Sequence, residues 1–129
     1  MSDPKPKLLI VEDDISSQQY YTMVLSDLYD LTLVATVKAA KQALGETEFS
    51  LAIIDLSLPG EEDGMDLIKF LVNQYPQKLP AIAISAHAFP QAREEALTAG
   101  AVEYFTKPIL SGILLDAVQQ FILHTSSRR

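Results

Sequence analysis

The chain has 129 residues, no cysteine and a formal net charge of −7. Its length suits one domain that buries about two-thirds of its unfolded surface without a covalent staple. The absence of cysteine excludes disulfides, thiolate metal sites and cysteine nucleophiles, and the acidity argues against a direct grip on nucleic-acid phosphates, which needs clustered Lys and Arg.

The segment Met1 to Lys7 is polar, carries two prolines and lacks the apolar stretch of a secretory signal. Leu8 to Val11 is a short apolar run that ends abruptly in acid, which predicts a buried strand. Asp14 to Tyr29 reads as a helix with Tyr20, Val24, Leu25 and Leu28 on one face. Leu31 to Thr36 is a second strand and Val37 to Leu44 a short helix stopped near Gly45. Leu51 to Ile54 repeats the first pattern and ends in Asp55, before a Pro59-Gly60 turn. Gly64 to Tyr75 is helical, with Leu67, Ile68, Leu71 and Val72 as its apolar stripe. Ala81 to Ile84 is a fourth buried strand ending at Ser85; Gln91 to Ala99 is a polar helix closed by Gly100. Val102 to Phe105 is the fifth strand, followed by Thr106-Lys107-Pro108, and Ser111 to Leu123 the last helix.

Short apolar strands alternating with helices imply a parallel sheet covered on both faces. The expected fold is α/β: a flavodoxin-like doubly wound five-stranded sheet of order 2-1-3-4-5 with five helices. A single domain over residues 1–129 is expected, with its core about 7–123 and polar tails at 1–6 and 124–129. With no apolar run long enough to span a bilayer, a cytoplasmic protein without membrane contact is the expectation.

In such a sheet, ligands bind beyond the carboxyl ends of the strands. Collected at that edge are Glu12-Asp13-Asp14, Asp55, Ser85 and Lys107. Strands one and three should be neighbours, which brings Asp13 and Asp55 together with Glu12 nearby. Two carboxylates about 4 Å apart repel by roughly 4 kcal/mol at an effective dielectric of 20, so the cluster calls for a cation. Lys107 supplies part of the compensation and a hard divalent ion such as Mg²⁺ the rest. A carboxylate can attack phosphorus to give an acyl phosphate, and transfer then needs mainly positioning and charge neutralisation. Asp55 is the candidate nucleophile, Asp13 the metal-holding carboxylate, and Lys107 with Ser85 the groups that neutralise the phosphoryl oxygens. Each signal alone has a bland reading: an acid after a strand caps a helix, the role open to Asp14, a serine there makes a turn, and a lysine before proline is solvated.

The motifs Val11-Glu12-Asp13-Asp14, Asp55-Leu56-Ser57-Leu58-Pro59-Gly60, Ser85-Ala86 and Lys107-Pro108 occur in the order and spacing of a known family. From about Lys7 to Leu123 the chain resembles receiver domains of two-component response regulators. Ser85-Ala86-His87-Ala88 and Ala99 to Tyr104 look most like receivers of hybrid histidine kinases. The resemblance implies a switch that takes a phosphoryl group from a histidine kinase or histidine phosphotransfer protein. It makes Asp55 the phosphoacceptor. Glu12, Asp13, Asp55 and the Ser57 carbonyl become the Mg²⁺ (or Mn²⁺) site, with Asp13 direct and Glu12 through water. Ser85 and Tyr104 become the switch pair, Lys107 the conserved-role cation, and the bond before Pro108 is often cis in the family. One departure is visible: Glu61 and Glu62 precede Asp63-Gly64, making the loop after strand three one residue longer and placing its effect on partner docking in question.

Two other readings compete. A hydrolase of haloacid dehalogenase type also forms an aspartyl phosphate, but it carries a second Asp two residues after the nucleophile, where this chain has Ser57. A flavin module needs a Ser-, Thr- and Gly-rich first loop; the acidic loop here repels a phosphate. In the last helix, Leu110, Leu114, Ala117, Val118 and Phe121 form the expected core stripe; Leu115 and Ile122 lie about a quarter turn away and Leu123 nearly opposite, and Leu115 with Ile122 is the expected face for self-association or a kinase.

Overall fold

Apolar runs bounded by charged or turn residues become the strands, and amphipathic stretches between them become the helices. A computed structural model describes residues 4–86 and 90–122. In chain order the elements are β1 (Lys7–Val11), α1 (Ile15–Leu25), β2 (Asp30–Val34), α2 (Val37–Glu46), β3 (Leu51–Asp55), α3 (Gly64–Asn73), β4 (Ala81–Ser85), α4 (Pro90–Ala99), β5 (Glu103–Thr106) and α5 (Ser111–Phe121). All strand pairs are parallel and the order is β2-β1-β3-β4-β5, the topology expected from the sequence.

Side chains alternate across the sheet because the strand period is two. Leu9, Val11, Ala52, Ile54, Ala81 and Ala83 face the layer of α2, α3 and α4. Leu8, Ile10, Leu51, Ile53, Ile82 and Ile84 face α1 and α5. Strands β3 and β4 are buried along their whole length, as double coverage demands. The chain order reverses between β1 and β3, so a crevice opens beyond their carboxyl ends. Caps set the helix starts: Asp14 accepts from Ser17 N–H, Thr36 from Ala39 N–H, and Asp63 forms a reciprocal capping box with Asp66. Gly100 ends α4 at φ +123°, a region costly for other residues, and a Cβ there would lie 2.2 Å from Val72 Cγ2.

Several details depart from the sequence reading, among them Val72 of the expected α3 stripe and Leu110 of the expected last-helix stripe, both exposed. Helix α1 ends at Leu25 and the chain turns through Ser26 to Leu28, with Leu28 and Tyr29 N–H groups both donating to the Leu25 carbonyl. Leu28 therefore leaves the helical phase and is exposed, while Tyr21 and Leu25 form the buried face. In α5, Leu114, Ala117 and Val118 are buried as expected, but Leu115 packs against the same core and Ile122, just past the helix end, is buried too. The expected contact face of Leu115 and Ile122 is thus corrected: the exposed apolar residues at this end are Leu110 and Ile113. Leu110 precedes the helix and turns outward as its N-cap residue. His87, Ala88, Leu123 and the tail 124–129 lie outside the described residues.

Candidate functional site

The carboxyl edge of β1, β3, β4 and β5 delivers four groups to one place. After β1, Glu12 turns inward and is 1% exposed, whereas Asp13 stays at the surface. Asp14 is bound to the helix start; hydrogen bonds from Ser17 hold its carboxyl below the usual value. Glu12 Oε2 accepts from Asp14 N–H at 3.1 Å, and the Glu12 carbonyl accepts from Gln18 Nε2 at 2.6 Å. At the end of β3, Asp55 is 6% exposed, and its Oδ1 accepts from Ser57 N–H at 2.8 Å. Carboxylate oxygens of Glu12, Asp13 and Asp55 all lie within 4.8 Å of one another.

Lys107 reaches in from beyond β5. Its ammonium donates to Asp55 Oδ2 at 2.9 Å and lies 2.8 Å from Glu12 Oε1. Oε1 makes no well-directed hydrogen bond, so that second contact is an ion pair. Burial raises the Glu12 pKa above the ordinary carboxylate value, against the lowering effect of Lys107. Burial also works against the Lys107 charge, but the carboxylates of Glu12 and Asp55 outweigh it and raise the lysine pKa. The peptide bond between Lys107 and Pro108 is cis, as the resemblance implied. Ser85, 2% exposed, ends β4 opposite Thr106; Tyr104, 7% exposed, stands in β5 opposite Ala83.

The sequence-named residues Glu12, Asp13, Asp55 and Lys107 therefore share one site, with Ser85 at the end of the neighbouring strand. Ser57 is exposed and enters through its backbone N–H to Asp55. The longer loop after β3 is absorbed outward: Lys41 of α2 pairs with Glu62 at 3.2 Å and sits 4.7 Å from the centroid of the Phe70 ring. Two contributors escaped the sequence reading. Gly64 N–H approaches the Leu56 carbonyl at 3.3 Å, and a Cβ on Gly64 would fall 2.1 Å from the Asp55 carbonyl oxygen. Gln18 holds the acidic loop from α1. The Asp63-Gly64 pair at a helix start was a usable signal for the first; nothing in the sequence marked Gln18.

The sequence pattern described as response regulator receiver domain matches residues 8–119. The chain belongs to the receiver domain family. The response regulator FleR of Pseudomonas aeruginosa is 33% identical over 119 residues, covering 91% of this chain and 24% of that protein. An uncharacterized 14.6 kDa protein of Leptolyngbya boryana is 35% identical over 121 residues, 90% of this chain and 89% of that protein. Against PilR of the same Pseudomonas, the chain likewise spans 25% of the relative's length. Among solved structures, the receiver domain of Francisella response regulator 1452 superposes with a TM-score of 0.83 at 27% identity, covering 91% of this chain and 96% of that one. The receiver of a signal transduction histidine kinase from Syntrophus aciditrophicus gives 0.81 at 27% identity, covering 90% and 89%. These similarities identify a regulatory receiver of two-component signalling and lend no support to the haloacid dehalogenase alternative. Among the described residues, no helix of this receiver is long and apolar enough to cross a membrane.

Proposed function

We propose that this receiver is a Mg²⁺-dependent switch phosphorylated on Asp55. The observation that carries the reading is a buried Asp55 whose two oxygens are held by Lys107 and Ser57 N–H inside a cluster with Glu12 and Asp13. The donors are hard oxygens around an uncompensated negative charge, the chemistry that suits Mg²⁺ or Mn²⁺. Asp13 and Asp55 would hold the ion directly, the Ser57 carbonyl would add a ligand, and Glu12 would act through water. Bound there, the ion would neutralise phosphoryl oxygens.

An Asp55 carboxylate oxygen attacks phosphorus while the bond from phosphorus to the donor's imidazole nitrogen breaks. The phosphoryl group becomes an acyl phosphate and the imidazole leaves to take up a proton. Lys107, already beside Asp55, transfers its contact to a phosphoryl oxygen, and Ser85 donates its hydroxyl to another. Tyr104 then follows Ser85. It is buried beside a cavity of about 640 Å³ that Arg93, Ile109 and Ile113 also line, which gives its ring space to change position. A histidine kinase or histidine phosphotransfer protein supplies the group. Self-association belongs at the exposed Leu110 and Ile113 of the same face. The whole chain is read as one receiver in the cytoplasm, without direct contact to nucleic acid or membrane.

Incubation with acetyl phosphate and Mg²⁺ is expected to add one phosphoryl group by intact mass, and chelation with EDTA to prevent it. An unmodified mass under both conditions would overturn the reading.

A second outcome follows from the charge imbalance. With three carboxylates facing one ammonium, Asp13→Asn is expected to stabilise the metal-free chain by about 1 kcal/mol, since its repulsion is softened by solvent. Wild type should gain roughly 2.7 kcal/mol at a hundredfold excess of Mg²⁺ over Kd, and Asp13→Asn little. Urea melts with and without Mg²⁺ measure both; equal responses would remove Asp13 from the metal site.

A further inference from the structure

Helix α1 touches the site from behind at two points. Gln18 donates to the Glu12 carbonyl, as described. Two residues later, the Tyr20 hydroxyl donates to the Ile109 carbonyl across 89 positions of sequence. Ile109 lies two residues beyond Lys107 and is buried. One helix thus grips the backbone behind both partners of the Glu12–Lys107 ion pair.

The connection from β5 to α5 has need of such a grip. Upstream, Lys107 N–H donates to the Ser85 carbonyl at 2.8 Å. Pro108 has no N–H to give. Downstream, the N-cap residue of α5 is Leu110, which makes no side-chain cap, so it does not anchor the loop as Asp14, Thr36 and Asp63 anchor theirs. The Tyr20 ring and Lys107 line one cavity of about 380 Å³ together with Pro108 and Ile109. The hydroxyl is therefore placed to fix the loop that carries the ammonium.

We propose that Tyr20 is a positioning residue for phosphoryl transfer at Asp55: through the Ile109 carbonyl it sets the approach of Lys107 to Glu12 and Asp55. The inference rests on the function proposed above. Tyr20 touches no reacting atom and acts through Lys107. Its loss should therefore slow the transfer step and leave metal and donor binding alone.

Tyr20→Phe removes one oxygen and keeps the ring. The rate of Asp55 phosphorylation at saturating acetyl phosphate is expected to fall about five- to tenfold, the scale of one lost net hydrogen bond. Half-saturating concentrations of donor and Mg²⁺ should stay within about twofold. The Lys107 side-chain ¹³Cε resonance in NMR should also move in Tyr20→Phe, which a purely structural role elsewhere in α1 does not require. A rate within twofold of wild type, or an unmoved Lys107 resonance, would overturn the proposal. If wild type takes up no phosphoryl group, the functional reading fails instead, and the resonance still reads the tie between Tyr20 and Lys107.

Discussion

Asp55→Asn is expected to abolish phosphoryl uptake completely while leaving the chain folded. The amide nitrogen and oxygen fill the same volume, and the side-chain oxygen can still accept from Ser57 N–H, the 2.8 Å bond that orients it. What disappears is the nucleophile, since a neutral amide oxygen does not displace a leaving group at phosphorus in place of a carboxylate. Lys107 loses one ion pair and keeps Glu12 at 2.8 Å. Relief of the repulsion among Glu12, Asp13 and position 55 opposes that loss, so the net change in stability should stay within about 1 kcal/mol. Intact-mass spectra after acetyl phosphate and Mg²⁺ read the first effect, and thermal melts read the second. Labelling of Asp55→Asn at the wild-type level would place the acceptor elsewhere.

Gly64→Ala is expected to be the most damaging single methyl in the described structure, costing about 3 kcal/mol. The added carbon would sit 2.1 Å from the Asp55 carbonyl oxygen and 2.7 Å from Leu56 Cα. Both obstacles are backbone, at the end of a strand buried along its length, so neither can swing aside as a side chain does. Either α3 lifts from the sheet or the Asp55 backbone moves, and the second displaces the phosphoacceptor. Gly112→Ala supplies the contrast. It adds a methyl into open space on α5, where alanine is intrinsically favoured by up to about 1 kcal/mol. Urea denaturation should therefore give shifts of opposite sign for the two variants. A Gly64→Ala chain as stable as wild type would mean that the contact relaxes freely.

The fold was legible because its signals are local and redundant. Each apolar run of four ending in a polar residue named a strand, and the alternation with helices left few ways to arrange them. The site was legible because its chemistry sits at strand ends, where topology alone brings Glu12, Asp13, Asp55 and Lys107 together. What escaped was geometry that no periodicity encodes. Tyr20 looked like a member of an apolar face because its ring packs there, and the destination of its hydroxyl, a carbonyl 89 residues away, has no sequence mark. Leu28 kept the helical phase on paper, but the turn after Leu25 took it out of register. Ile122 falls on a free face only if the helix continues through it, whereas α5 ends at Phe121 and Ile122 turns into extended backbone that buries its side chain. Glu62 drew attention as an insertion beside the site, whereas Lys41 draws it away.

Helix α4 is attached unlike its neighbours. Ala96 is its one fully buried residue among those described, while α3 buries Gly64, Leu67, Ile68 and Leu71, and α5 buries Leu114, Ala117 and Val118. The facing residues of β4 are Ala81 and Ala83, so the layer is thin on both sides of the contact. Ala92 and Ala99 pack only partly buried against the same cluster, so a shift of this helix forfeits little apolar burial, on the order of 1 kcal/mol for each small side chain. On burial alone, α4 shifts against the sheet beside Ser85 and Tyr104 at lower cost than α3 or α5 would. Strain introduced at the carboxyl edge has a soft side and a stiff side on which to discharge, and the sheet's own side-chain sizes decide the direction.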